Sequence, residues 1–210
     1  YHIGYQFENE ETMWLDNSPQ NGGKPWMSPF SEQAKVYISQ LIGEVGNAGF
    51  TKLITTDYVF PRFLDSDLNY IGAIVKDPNR NNALTSFAQF VKTEAEKYNM
   101  QTVLVVSAVE VMSGTSSVLI PDNLKGITIS SQIDIAALPV NITLKDGTVV
   151  DLSTLGVYDK VKTITTKVAE LSGTTKIIPV LNAIGLSEND VNEAIRAITD
   201  LGYSNYVIIK

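Results

Sequence analysis

The sequence predicts an α/β protein built around a parallel sheet, and three observations lead there. Short runs rich in Val, Ile, Leu and aromatics recur along the 210 residues, each too brief for a helix. Between them lie longer stretches whose apolar residues repeat at i, i+3, i+4 and i+7, the mark of amphipathic helices. Strand, helix and strand in alternation imply parallel strands joined by crossovers. Six strands suit either an open doubly wound sheet or most of a (β/α)8 barrel.

The strands are expected at 2–7, 52–59, 102–111, 132–139, 176–182 and 205–209, each brief and rich in Val, Ile, Leu or aromatics as strands covered on both faces should be. The first helix runs over 31–48, with Ala34, Tyr37, Ile38, Leu41, Ile42 and Val45 on one stripe. Ser28 before Pro29 reads as its N-cap, and Gly49 as the residue just past its end. Leu84, Phe87, Phe90, Val91 and Ala95 repeat the pattern over 83–98. Val157, Val161, Ile164, Val168 and Leu171 do so before Gly173. The last helix carries Val191, Ala194, Ile195, Ile198 and Leu201 before Gly202, and Ser187 to Asp190 resembles a capping box. Gly114, Pro121 and Gly126 leave room for no more than a short helix over 112–131. The stretch 140–152 reads as a hairpin turning at Asp146-Gly147. No repeat, low-complexity tract or linker interrupts the chain, so 1–210 is expected to be one domain.

Composition narrows the function. A hydrophobic fraction of 44% and a charged fraction of 19% belong to a globular protein. The net charge of -7 argues against a nucleic-acid partner, which needs a basic face. With no Cys, disulfides, thiolate metal sites and Cys nucleophiles are excluded together. His2 is the lone imidazole, which speaks against a Ser-His-Asp triad or a His-rich metal site. Ser113-Gly114-Thr115 lacks the spacing and the Lys of a phosphate loop, so no cofactor is expected. Asn141-Ile142-Thr143 fits a glycosylation acceptor, a triplet frequent by chance. No apolar run reaches the roughly 18–20 residues needed to span a bilayer. The chain opens Tyr1-His2-Ile3-Gly4-Tyr5, without a signal peptide or initiator Met, as a mature or trimmed segment would. Upstream sequence is therefore expected.

The most informative segment is 49–61. A helix closes at Gly49, a strand runs from Leu53, and Asp57 follows, flanked by Tyr58 and Phe60 before Pro61. Ligands and catalytic groups collect at the C-terminal ends of parallel strands. An acid among aromatics there suits a sugar site; the plainer alternative is an Asp capping loop donors. Trp14, Trp26, Tyr58 and Phe63 are candidate stacking platforms for pyranose rings, or plugs for the core.

The order of segments resembles a family of bacterial glycoside-hydrolase-like (β/α)8 barrels, to which enzymes acting on amino-sugar exopolysaccharides are more distantly related. His2 to Phe7 followed by Glu8 is similar to the family's third strand. Trp14-Leu15-Asp16 and Lys24-Pro25-Trp26-Met27-Ser28-Pro29 resemble its Trp-rich segment. Gly49-Phe50 and Asp57-Tyr58-Val59-Phe60-Pro61 resemble its Gly-Phe-Asp…Asp-Tyr-Val-Arg-Phe-Pro signature. Ser107-Ala108-Val109-Glu110-Val111 resembles its fifth strand, Asp134 to Pro139 its sixth, Pro179-Val180-Leu181-Asn182 its seventh and Leu201-Gly202-Tyr203 to Ile209 its eighth. The resemblance implies the strand 3 to strand 8 portion of a barrel, completed by an upstream segment or a second chain, since six strands alone would expose two edges. It also implies a carbohydrate ligand and a secreted or envelope-associated setting. Two positions depart from the pattern. Phe60 follows Val59 with no intervening Arg, and Ala183 stands where an acid is usual after the seventh strand.

Glycoside hydrolysis needs two carboxyls, about 5–5.5 Å apart for retention or about 6.5–9.5 Å for inversion. Glu8, Asp57 and Glu110 are placed near strand ends, and Asp134 near the start of its strand. Asp57 and Glu110 follow adjacent strands and are read as the catalytic pair. Glu110 is the acid, its carboxyl raised by neighbours such as Val109 and Met112, and Asp57 stays ionised. Alternatively, Glu110 turns into the helix layer to pair with a Lys. Glu8, Trp26, Tyr58 and Asn182 are the substrate contacts, Asn182 being as readily an ordinary buried amide. The expected function is hydrolysis of a polysaccharide. Its competitors are a non-catalytic carbohydrate-binding or scaffolding barrel and an open-sheet α/β binding domain.

Overall fold

The computed structural model describes residues 13–15, 25–60, 80–115, 118–119, 127–173 and 177–210. The strand expected at 2–7, Glu8, Pro61 and Phe63 lie outside the described residues. The chain divides into two compact units. One is Tyr1–Leu53 with Val59–Gln101 and Ser116–Val118; the other is Ile54–Tyr58 with Thr102–Thr115 and Leu119–Lys210.

In the first unit β1 (Met13–Leu15) and β2 (Pro25–Met27) pair antiparallel, with Trp14 opposite Trp26. Helix α1 spans Glu32–Asn47. Its N-cap is Ser31, not the expected Ser28: the Ser31 hydroxyl accepts from the Ala34 N–H at 3.2 Å. Ser28 shapes the turn before it, its Oγ accepting from the Phe30 N–H at 3.3 Å and its carbonyl from the Ser31 N–H at 3.1 Å. Only the serine directly before the first turn can reach the third helical amide. At the far end Gly49 takes φ +88°, as expected. Its N–H bonds the Gly46 carbonyl and that of Phe50 bonds the Val45 carbonyl, a closure that favours glycine. Helix α2 (Arg80–Glu96) packs on α1 through Ile42, Val91 and Ala95, with Met100 completing a core ringed by Ile38, Val45, Phe87, Phe90 and Tyr98.

The remaining strands are β3 (Lys52–Thr55), β4 (Gln101–Ser107), β5 (Thr128–Asp134), β6 (Asn141–Thr143), β7 (Val149–Asp151), β8 (Ile177–Asn182) and β9 (Val207–Ile209). Five of them form one sheet in the order β3-β4-β5-β8-β9, and β4, β5, β8 and β9 pair in parallel. This order follows the chain without reversal. A doubly wound sheet reverses at its switch point, so the progression is that of a barrel portion. The expected hairpin is present as β6 and β7, with Gly147 at φ +87° and the Thr148 N–H held by Asp146 Oδ1 at 2.9 Å. Helices α3 (Ala108–Ser113), α4 (Val157–Ser172) and α5 (Glu188–Asp200) complete the second unit, α4 packing on α5. Ser187 caps α5 as expected: its Oγ accepts from the Asp190 N–H at 3.2 Å and donates to Asp190 Oδ2 at 2.7 Å.

Three strand boundaries differ from expectation, and each bears on the site. The strand placed at 52–59 ends at Thr55; Val59 makes only an isolated bridge to Val118. The strand placed at 102–111 ends at Ser107, because that serine caps α3 and turns the chain helical at Ala108. The strand placed at 132–139 spans Thr128–Asp134, and Ile135–Ala137 form a 3-10 turn. Asp134 therefore ends its strand instead of starting it.

Candidate active site

Asp57 lies two residues beyond β3 with φ +64°, one of two non-glycine residues among those described to have a positive φ. This left-handed region is disfavoured for side chains with a Cβ, least so for Asp and Asn. The Asp57 carboxylate is exposed, and the Thr56 hydroxyl donates to its Oδ2 at 2.7 Å. Tyr58 beside it is half-buried, and its carbonyl accepts from the Leu119 N–H at 3.2 Å. Burial pushes the Tyr58 phenol up to about 12. The nearby Thr55 hydroxyl opposes this shift without cancelling it, and Thr55 Oγ1 makes no well-formed bond.

Glu110 is not on a strand. It occupies the third position of α3, where its N–H is held by the Ser107 hydroxyl at 3.4 Å and its carbonyl accepts from the Gly114 N–H at 3.0 Å. Ser113 Oγ also donates to that carbonyl at 3.0 Å. Its backbone is thus fixed at both ends of a single short helix immediately after β4, and its side chain is half-buried. Asp57 and Glu110 do follow neighbouring strands, since β3 lies beside β4.

Asn182 is the last residue of β8, half-buried, and its Oδ1 accepts from the Ile184 N–H at 3.3 Å. It stands level with Asp134 of β5 on one side and Ile209 of β9 on the other. Trp26 is in β2 of the other unit, and Glu8 is outside the described residues.

The register also brings together residues that the sequence reading passed over. Residues paired across parallel strands point to the same face, and alternate residues point to opposite faces. One face carries Leu104 and Val106 of β4, Ile129, Ser131 and Ile133 of β5, and Leu181 of β8, all buried. The other face carries Val103, Val105 and Ser107, then Thr128, Ser130, Gln132 and Asp134, then Ile178, Val180 and Asn182. On that face Thr128 and Ser130 are buried, Ser107, Gln132 and Asn182 half-buried, and Asp134 exposed. Polarity and exposure both rise toward the C-terminal ends, where parallel α/β folds bind ligands. Gln132 was missed, and Asp134 was set at the start of its strand instead of its tip, because the strand was placed four residues late. No group of three His, Cys, Asp or Glu suited to a metal ion occurs among the described residues. No described helix is long and apolar enough to cross a membrane.

The parallel progression of strands and helices defines an α/β fold of partial-barrel type. No protein-family model matches the sequence, and no curated protein matches it. Among solved structures the chain is similar to the glycoside hydrolase domain of PgaB (BpsB) from Bordetella bronchiseptica, with a TM-score of 0.59 and 17% identity. That likeness covers 88% of this chain and 59% of the other, so the chain spans under two thirds of that domain. Ega3 of Aspergillus fumigatus, solved with galactosamine, gives a TM-score of 0.47 at 12% identity, over 96% of this chain and 65% of that one. At 17% identity the likeness to the Bordetella domain is one of fold.

Proposed function

We propose that the chain is the strand 3 to strand 8 portion of a glycoside-hydrolase barrel that cleaves a polysaccharide at or outside the cell envelope. Asp57 acts as the ionised carboxylate, nucleophile or base, and Glu110 as the acid that protonates the leaving oxygen. The observation that carries this reading is the left-handed backbone of Asp57. A non-glycine residue held there costs conformational energy, and such cost concentrates at functional sites. Support also comes from the adjacency of β3 and β4 and from a fold shared with a glycoside hydrolase domain, the latter an argument by analogy. Trp26, Tyr58, Glu8 and Asn182 are the substrate contacts of this reading. In this reading the barrel is completed by an upstream segment or by a second chain.

Glycan turnover by the full-length protein tests the assignment. Asp57→Asn and Glu110→Gln should each lower kcat by about 10²-fold or more, the usual size of a general acid–base contribution. Unchanged turnover in Asp57→Asn would remove that residue from the mechanism. A second reading, a carbohydrate-binding barrel without catalysis, is favoured by Ala183, a small buried residue where the resembled family carries an acid. It requires polysaccharide binding with no turnover in the wild type.

A further inference from the structure

We infer that Asp134 of β5, together with Gln132 and Asn182, forms a sugar-binding subsite at the C-terminal end of the sheet, on the face described above. The inference rests on the carbohydrate reading just proposed, but not on Asp57 or Glu110. Gln132 and Asp134 are two apart on one strand and so share a face, and Asp134 is level with Asn182 on the next strand. Gln132 is in turn level with Ser107. The opposite face of the same three strands is buried at these levels, by Val106, Ile133 and Leu181.

A parallel strand covered on both faces is normally apolar throughout. Here β5 carries polar residues on both faces, Thr128, Ser130 and Ser131 being buried, but Gln132 and Asp134 near its C-terminal end are not enclosed by the fold. Neither the Gln132 nor the Asp134 side chain has a hydrogen-bond or ion-pair partner among the described residues, and Asp134 does not cap the 3-10 turn that follows it. The Asn182 amide is oriented by its bond to the Ile184 N–H, which leaves its two donors to point elsewhere. The row therefore offers a carboxylate acceptor, a donor pair and a second amide on one face of two neighbouring strands. A carboxylate of this kind accepts from two neighbouring hydroxyls at once, while an adjacent amide donates to a third oxygen. Those are the demands of a pyranose ring with vicinal hydroxyls.

The test is affinity electrophoresis of the full-length protein through gels cast with dextran, xylan, chitosan or β-1,3-glucan. The wild type should be retarded by at least one polymer. Asp134→Asn should weaken that binding about tenfold or more, since a hydrogen bond to a charged group is lost. Gln132→Ala should weaken it less, and both variants should melt with the wild type because neither side chain holds the fold. Equal retardation of wild type and Asp134→Asn, or a wild type retarded by none of the four, overturns the subsite. The two readings fail separately. Binding lost in Asp134→Asn by a protein that cleaves nothing keeps the subsite and removes the hydrolase. Cleavage with unchanged KM in Asp134→Asn removes the subsite and keeps the hydrolase.

Discussion

The Thr56 hydroxyl donates a 2.7 Å hydrogen bond to Asp57 Oδ2, on a residue whose backbone is turned to φ +64°. Glycine adopts that region without penalty, so Asp57→Gly should stabilise the protein by up to about 1 kcal/mol. The carboxylate is exposed and its hydroxyl partner is equally exposed, so little is lost in exchange. If Asp57 serves catalysis, the same variant abolishes turnover. Chemical denaturation alongside a glycan assay checks both halves. A destabilised Asp57→Gly would show that the carboxylate holds the loop.

Gly46 of α1 faces Tyr98 so closely that an added Cβ would stand 2.5 Å from the Tyr98 Cβ and 2.7 Å from its Cδ1. Those atoms are near the backbone and cannot swing aside. Gly46→Ala should therefore destabilise by about 1–3 kcal/mol through overpacking, despite a gain of about 1 kcal/mol in helix propensity. Gly43→Ala meets the far end of the Tyr98 ring, Oη at 2.9 Å and Cζ at 3.5 Å, and that end can shift. It should cost less than Gly46→Ala, and thermal melts of the two variants give the order.

Glu94 is buried on α2, yet it accepts from Lys97 Nζ at 2.5 Å and from Ser39 Oγ at 2.6 Å. The Lys97 bond first, then the Ser39 bond, hold its carboxyl below the usual value, and burial opposes them. A depressed folded value contributes stability above the unfolded value, and that contribution disappears as pH falls through the folded one. Glu94→Gln should thus cost about 1–2 kcal/mol at neutral pH, the size of a charged hydrogen bond. The gap between variant and wild type should close as pH drops below about 4. Raising salt should narrow it less, because screening weakens the ion pair with the exposed Lys97 but not the bond from the neutral, half-buried Ser39 hydroxyl.

The helices were legible because their signals are local. Gly49 and Gly202 stand where the chain turns left-handed, at φ +88° and +87°, and Ser187 with Asp190 makes the cap its spacing announces. The hairpin was legible for the same reason, Asp146-Gly147 carrying the turn. The register of β5 was not. Ser130 and Ser131 look like loop residues, and the apolar run from Ile133 to Leu138 looks like a strand. Yet both serines are buried in the sheet, and the apolar run bends into a 3-10 turn after Asp134. A four-residue shift moved one carboxylate from the start of a strand to its tip.

The misplaced helix start at Ala108 has a different origin. Val109 and Val111 are β-branched and read as strand, but Ser107 followed three residues on by Glu110 is a capping signal. The cap prevailed, since the Ser107 hydroxyl meets the Glu110 N–H. Weighing that spacing against the valines would have placed Glu110 on α3.

Tyr58 separates a stacking role from a structural one. Its phenol is pushed up to about 12 by burial, against about 10 in an unfolded chain. A folded value above the unfolded one means that stability is intact below pH 10 and is lost as pH rises through the window from about 10 to about 12. Tyr58→Phe removes the ionisable group, so the variant should resist alkaline unfolding better than the wild type in that window. Spectrophotometric titration should show one fewer late-ionising tyrosine in the variant than in the wild type, in which burial also raises Tyr203. Phe also keeps an aromatic plane, so Tyr58→Phe should bind glycan as the wild type does if the ring stacks on sugar, whereas Tyr58→Ala should not. Equal binding by Tyr58→Ala would leave the residue a role in packing alone.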